Sequence, residues 1–271
     1  MTPRLLATDL DGTLLRPDGE VSARTVAALA RAQAAGVEVV FVTARPHRWL
    51  TPLAAVVHEH GTAICTNGAS VVEVATQTVL VEHGMSVETV VEIAARLRSD
   101  LGPAIRLATE SAAGLVYEHG FMPSRPAEPG DPSVDRIERA LPAATLKLLV
   151  HTEEIWAARR PEEFTARVAA CTDGLATATS SGVDALGEIA ALGVTKARTL
   201  ADWAAARGID PDDVWAVGDA PNDLPMLAWA SRSFAVANAH HTVLATVDEV
   251  LPPNTDDGVA TLLERLAAPS R

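Results

Sequence analysis

Apolar and polar positions follow two regimes along this chain. In the first third, short continuous apolar runs alternate with stretches of helical spacing. Leu5 to Leu10, Val37 to Val42 and Ala63 to Thr66 read as strands. Ser22 to Ala35 reads as a helix, with Ser22 as its N-cap and Gly36 just past its end. Asn67-Gly68 reads as a hairpin-type turn. Strand–helix–strand alternation predicts parallel pairing through right-handed crossovers.

The pattern changes after about Glu82. Ser86 to Arg98 has helical spacing, with Val87, Val90, Val91, Ala94 and Leu97 on one face. Ala104 to Ala108 and Leu115 to Glu118 read as short strands, and Pro123, Pro126, Pro129 and Pro132 break the chain into a loop. Val134 to Leu141 reads as helix, Thr145 to Val150 as strand, Glu162 to Ala170 as helix and Leu175 to Thr179 as strand. The first regime then resumes: helix from Thr195 to Arg207, strand from Val214 to Val217, helix from Asp223 to Trp229, a short strand at Phe234 to Val236, and a last helix at Ala260 to Ala267. The expected fold class is α/β. Its core is a Rossmann-like parallel sheet with helices on both faces, formed by residues 1–82 and 187–271. An α+β cap is inserted over residues 83–186.

Composition narrows the partners. Over 271 residues, 48% are hydrophobic and 21% charged, which marks a globular chain. The formal net charge of -13 argues against a nucleic-acid surface or an anionic membrane, and it means that an anionic substrate needs local help from a cation. Cys65 and Cys171 are far apart and form no CxxC, so neither a disulfide framework nor a zinc site is expected. No leader pattern opens the sequence and no run has the length of a membrane span; the expectation is a cytoplasmic protein.

The chemistry gathers at the ends of the apolar runs. The first run ends in Asp9-Leu10-Asp11-Gly12-Thr13, two carboxylates one residue apart followed by a sharp turn. Val214 to Val217 leads into Gly218-Asp219, with Asn222-Asp223 close behind. Val37 to Val42 ends in Thr43-Ala44-Arg45, and Gly193-Val194-Thr195-Lys196 places a lysine at a helix start. Each piece also has a plain structural reading: an acidic turn, helix N-terminal acids, a solvated lysine. The last is weakened because Lys147 is the only other lysine in the chain. Open α/β sheets bind ligands at the strands' C-terminal edge. Carboxylates, a hydroxyl, an amide and an ammonium gathered there are the parts of a magnesium-assisted phosphoryl-transfer site.

Taken in order, these motifs resemble the haloacid dehalogenase-like (HAD) superfamily of phosphohydrolases, and within it the Cof-like group with type II caps of subclass B. The match runs from Asp9-Leu10-Asp11-Gly12-Thr13-Leu14 through Thr43-Ala44-Arg45 (the group has Thr-Gly-Arg), Asn67-Gly68-Ala69, Leu186-Gly187-Glu188-Ile189 and Gly193-Val194-Thr195-Lys196. It continues through Gly218-Asp219-Ala220-Pro221-Asn222-Asp223, Asn238-Ala239 and Asp257-Gly258-Val259. The resemblance implies Asp9 as nucleophile through an aspartyl-phosphate and Asp11 as general acid and base. It implies Mg²⁺ held by the Asp9 carboxylate, the Asp11 backbone carbonyl and Asp219, with Asp223 behind them or acting through water. Thr43 and Lys196 would hold the transferring phosphoryl group, and the Gly12 and Thr13 amides would help. Asn222 would orient Asp9 or Lys196, and Arg45 would either touch substrate or support its loop. The implied activity is a Mg²⁺-dependent phosphatase acting on a small phosphorylated metabolite such as a sugar phosphate. The alternatives are a phosphomutase of the same superfamily and a non-catalytic sugar-phosphate-binding protein. His58-Glu59-His60 and His240-His241 are expected at the surface without a metal. Trp203, Trp215 and Trp229 are expected in the core; His119, Arg125 and Lys147 belong to the cap.

Overall fold

The computed structural model describes residues 2–57, 61–121, 130–179 and 185–267. His58-Glu59-His60, Arg125 and most of the proline-rich loop lie outside the described residues. Two compact units form, one from residues 1–81 with 196–271 and one from residues 82–195.

The first unit begins with β1 (Leu5–Thr8), α1 (Ala23–Ala34), β2 (Glu38–Val42), α2 (Thr51–Val57), β3 (Thr62–Cys65), β4 (Ser70–Glu73) and β5 (Thr78–Glu82). The inserted unit follows, with α3 (Val87–Leu101), β6 (Arg106–Ser111), β7 (Gly114–Glu118), β8 (Ser133–Val134), β9 (Lys147–His151), α4 (Ile155–Arg159), α5 (Pro161–Thr172), β10 (Ala176–Thr179) and β11 (Leu186–Ala191). The chain then returns through α6 (Lys196–Ala206), β12 (Val214–Gly218), α7 (Leu224–Trp229), β13 (Arg232–Val236), α8 (His241–Leu244), β14 (Glu249–Leu251) and α9 (Gly258–Leu266).

The sheet of the first unit has the order β14-β13-β12-β1-β2-β3-β4-β5. From β14 to β3 every pairing is parallel; β4 returns antiparallel to β3. Every residue of β1 is buried, as a strand covered by helices on both faces requires. Helix α1 packs against α9, and α6 against α7. The start of α1 is fixed locally: Ser22 Oγ accepts the Thr25 N–H at 3.0 Å. Strands β4, β5 and β14 and helices α2 and α8 carry too little periodicity to stand out in the sequence.

The inserted unit is α+β. Its sheet runs β10-β11-β9-β6-β7-β8 and is antiparallel except for β7 with β8. Ile93 and Leu97 of α3 and Phe164 and Val168 of α5 share a core with Leu107, Leu148, Val150 and Ile189 from the sheet.

Two expectations need correction. Residues 187–195 belong to the inserted unit rather than the core, because β11 pairs antiparallel with both β9 and β10 and completes that sheet. Residues 134–141 do not form a helix; β8 is followed by a single 3-10 turn at Ile137–Arg139. Ile137 is drawn fully into the core, and its N–H donates to the buried Glu118 Oε1 at 3.2 Å in place of a helical bond. No described helix is long and apolar enough to cross a membrane.

Candidate active site

Strands β12, β1 and β2 are adjacent and parallel, so their C-terminal ends share one edge. The sequence runs straight from those ends into Asp219, Asp9 and Thr43. The ladder continues one residue past β1, where the Asp9 N–H donates to Val217 O at 3.0 Å. The chain then makes one π-type turn, Leu10–Leu14, closed by the Leu15 N–H on Leu10 O at 2.8 Å. The turn departs from helical geometry at Asp11 (ψ 122°) and Gly12 (φ 80°). Gly12 is required twice over: its φ is left-handed, and a Cβ there would overlap Asp219 Oδ2. Thr13 Oγ1 donates to Asp219 Oδ1 at 2.6 Å.

Lys196, the first residue of α6, is buried at 4% exposure. Its Nζ donates to Asp9 Oδ1 at 2.6 Å and to Asp223 Oδ1 at 2.8 Å. Asp223 is fully buried, and its Oδ2 accepts the Asp219 and Ala220 N–H groups, both at 3.1 Å. Burial of Asp9 raises its carboxyl well above the usual range; the Lys196 charge opposes this, and Asp223 and Asp219 add to it. Burial alone would lower Lys196, but Asp9 and Asp223 reverse that and hold the ammonium charged. Asp219 is raised by burial, with the Thr13 bond opposing. Carboxylate oxygens of Asp9, Asp219 and Asp223 lie within 4.8 Å of one another, the one such trio among the described residues. Three carboxylates around one ammonium leave an excess of negative charge away from water, which a hard divalent cation would offset.

Asp11 stands apart from this cluster. Its exposed carboxyl accepts Arg45 Nε at 2.6 Å and the second guanidinium nitrogen at 2.5 Å. The Arg45 side chain is 11% exposed, so it presents a nearly buried fork to an exposed carboxylate. Of the two readings left open for Arg45, the structure shows it bound to Asp11. Thr43 Oγ1 accepts the Arg45 N–H at 3.1 Å.

A further turn ties this loop to α6. Thr66, Asn67 and Gly68 all have positive φ (55°, 56° and 108°). Their loop donates the Thr66 N–H to Arg45 O at 2.9 Å and the Asn67 N–H to Thr43 O at 3.0 Å. On the other side Thr199 Oγ1 donates to Gly68 O at 2.8 Å. Consecutive residues in this region are costly unless the surroundings hold them. The sequence pointed to Asn67-Gly68 and to the Thr13 amide, but not to Thr66 or to the bond of the Thr13 hydroxyl with Asp219, because a threonine's type carries no positional signal of its own.

Among the hydrogen bonds of the described residues, none links the Asn222 side chain to Lys196 or Asp9. The Asn222 Oδ1 is buried without a hydrogen-bond partner, and Lys196 is held by the two aspartates instead. His240 and His241 lie exposed with their rings 4.2 Å apart; neither ring belongs to the carboxylate trio, although the His240 N–H donates to Asp219 O at 2.8 Å. Trp203 is buried, while Trp215 and Trp229 pack half-buried against the core. In the inserted unit Lys147 forms a buried ion pair with Glu188 at 2.7 Å, and His119 is exposed.

Residues 6–263 match the model of the haloacid dehalogenase-like hydrolase family. The chain belongs to that family. This hydrolase is 28% identical over 281 residues to a pyridoxal phosphate phosphatase of Escherichia coli, covering 97% of this chain and 98% of that one. It is 28% identical over 261 residues to a phosphoglycolate phosphatase of Halorubrum lacusprofundi, covering 96% of each. Both of these relatives, which it matches along nearly its whole length, are named as phosphatases, and this hydrolase is a phosphoric monoester hydrolase. The fold matches a crystal structure from Streptococcus mutans with a TM-score of 0.84 at 23% identity, covering 98% of this chain and 100% of that one. It also matches a sugar phosphatase of HAD subclass IIB, with a TM-score of 0.76 at 20% identity, covering 96% and 98%.

Proposed function

We propose that this hydrolase removes the phosphoryl group from a small phosphorylated metabolite by way of an aspartyl-phosphate on Asp9, with Mg²⁺ as cofactor. The observation that carries the reading is the buried Asp9 carboxylate, held by Lys196 at one oxygen beside Asp219 and Asp223. Lys196 occupies Oδ1, which leaves Oδ2 to attack phosphorus. As that bond forms, the bond to the leaving oxygen breaks, and the Asp11 carboxyl supplies the proton. Asp11 must first release Arg45, which occupies both of its oxygens. In the second step water attacks the phosphorus of the aspartyl-phosphate, Asp11 takes the water's proton, and Asp9 is regenerated as phosphate departs. Thr43 and the positively charged Lys196 face the phosphoryl oxygens.

The donor set fits a hard cation. Asp223 has both oxygens engaged, by Lys196 and by two backbone N–H groups, so Asp9 and Asp219 are the carboxylates to hold Mg²⁺, with the Asp11 carbonyl as a third donor. When bound, the ion neutralises charge on the phosphoryl oxygens and lets one anion approach another.

The relatives of similar identity act on unlike substrates, pyridoxal phosphate and phosphoglycolate, so the test uses a broad panel. Phosphate release is measured from these compounds and from sugar phosphates, with Mg²⁺ and with chelator, for the wild type and Asp9→Asn. The expected result is metal-dependent release that the variant abolishes. Release that survives in folded Asp9→Asn would sink the nucleophile. A phosphorylated product without free phosphate would turn the reading to a mutase.

A further inference from the structure

We propose that Asn238, Asn254 and Asp257 form a clamp that positions Asp11 by holding the turn that carries it; the catalytic consequence rests on the phosphatase reading above. These residues lie in the connections that follow β13 and β14, separated from their partners by 226, 239 and 241 positions in the sequence. Asn238 Nδ2 donates to Gly12 O at 2.7 Å, inside the turn. Asn254 Nδ2 donates to Leu15 O at 2.8 Å, just past its end. The two amides are joined, since the Asn254 N–H donates to Asn238 Oδ1 at 2.9 Å. One residue further on, Arg16 gives Nε and a second guanidinium N–H to the two oxygens of Asp257, at 2.9 and 2.8 Å.

The clamp answers a specific weakness. A π-type turn competes with a tighter α-type one, and this turn also leaves helical geometry at two residues. Asp9 does not depend on the turn, because the ladder bond to Val217 fixes it. Asp11 lies past that last ladder bond; its side chain is held by Arg45, and its backbone follows the turn, which Asn238 grips at the Gly12 carbonyl next to it. Holding Gly12 and Leu15 selects the wide turn and with it the place of Asp11.

Residue chemistry supports the assignment. Each asparagine must donate to a carbonyl, and Asn238 must also accept an N–H, a pair of demands that only an amide meets at that length. A carboxylate of the same shape would set oxygen against oxygen. The far side of the clamp is rigid: Asp257 has φ 56°, and a Cβ on Gly258 would overlap Pro252 O.

The test compares the full-length wild type with Asn238→Asp and Asn254→Asp. Steady-state hydrolysis of p-nitrophenyl phosphate with Mg²⁺ is measured against pH, and amide hydrogen exchange is followed over residues 10–16. Both variants are expected to exchange faster in that segment. Each should lose about tenfold or more in kcat, with KM nearly unchanged. The pH profile of kcat should also move, which a loss of folded protein alone would not produce. Unchanged exchange overturns the proposal, as does faster exchange with kcat and its pH profile intact. Asn254 is buried and Asn238 exposed, so Asn238→Asp carries the test should the other fail to fold. If the wild type turns over no monoester, the phosphatase reading fails, and the exchange experiment still judges the clamp.

Discussion

Lys196 shares one ammonium between two buried carboxylates. Replacing it leaves the buried Asp9 and Asp223 carboxylates without a cation. Breaking a buried pair in this way costs about 3–5 kcal/mol. Lys196→Met is therefore expected to lower the unfolding free energy by that order in urea titrations, with added Mg²⁺ restoring part of it. An unchanged midpoint would show that the carboxylates are neutral in the native state. Asp9, Asp219, Asp223 and Lys196 were legible in the sequence because each stands where an apolar run ends or a helix starts. The partner of Arg45 was not, since a bidentate bond to Asp11 depends on how a turn is closed. The Thr13 hydroxyl, Thr66 and Asn254 were silent for a related reason: their bonds to a nearby carboxylate or to backbone groups leave no spacing to read.

At the scale of elements, the connection before α9 shows how a charged bond secures a loop. Arg16 beside Asp257 holds that carboxyl below the usual range. A lowered native pKa gives stability that is present above the unfolded value of about 3.9 and lost as pH falls through the native value. Asp257→Asn should thus be less stable than the wild type at pH 7, and the two should converge as the carboxyl protonates. Urea melts across that range check this; a constant difference at all pH values would contradict it. The strand–helix alternation made most of the core sheet readable, and Ser22 marked the start of α1. The boundary was set too early because no strand was read at β11, whose Glu188 faces Leu149 and Thr179 across pairings that only the fold reveals. The helix expected at 134–141 failed because a single buried residue, Ile137, set the pattern.

For the whole molecule, the main hydrophobic cores of the two units share no residue. Units with separate cores need not unfold together. Scanning calorimetry is expected to resolve two transitions. Mg²⁺ should raise only the one belonging to residues 1–81 and 196–271, because the carboxylate trio lies there. A single transition with equal calorimetric and van't Hoff enthalpies would refute this.

The sheet order has a consequence for biosynthesis. Strand β1 sits between β2 and β12, so one of its edges waits for a partner made about 200 residues later. At ribosomal speeds of roughly 5–20 residues per second, that edge stays open for on the order of ten to forty seconds. The whole inserted unit is made within that interval and is complete before β12 emerges, while β1 keeps an unpaired apolar edge of the kind that recruits other chains. Lys196, Asp219, Asp223, Asn238 and Asn254 all emerge near or after the close of that interval. A ribosome that stalls before α6 therefore releases a chain that has Asp9 but none of the side chains that surround its carboxylate.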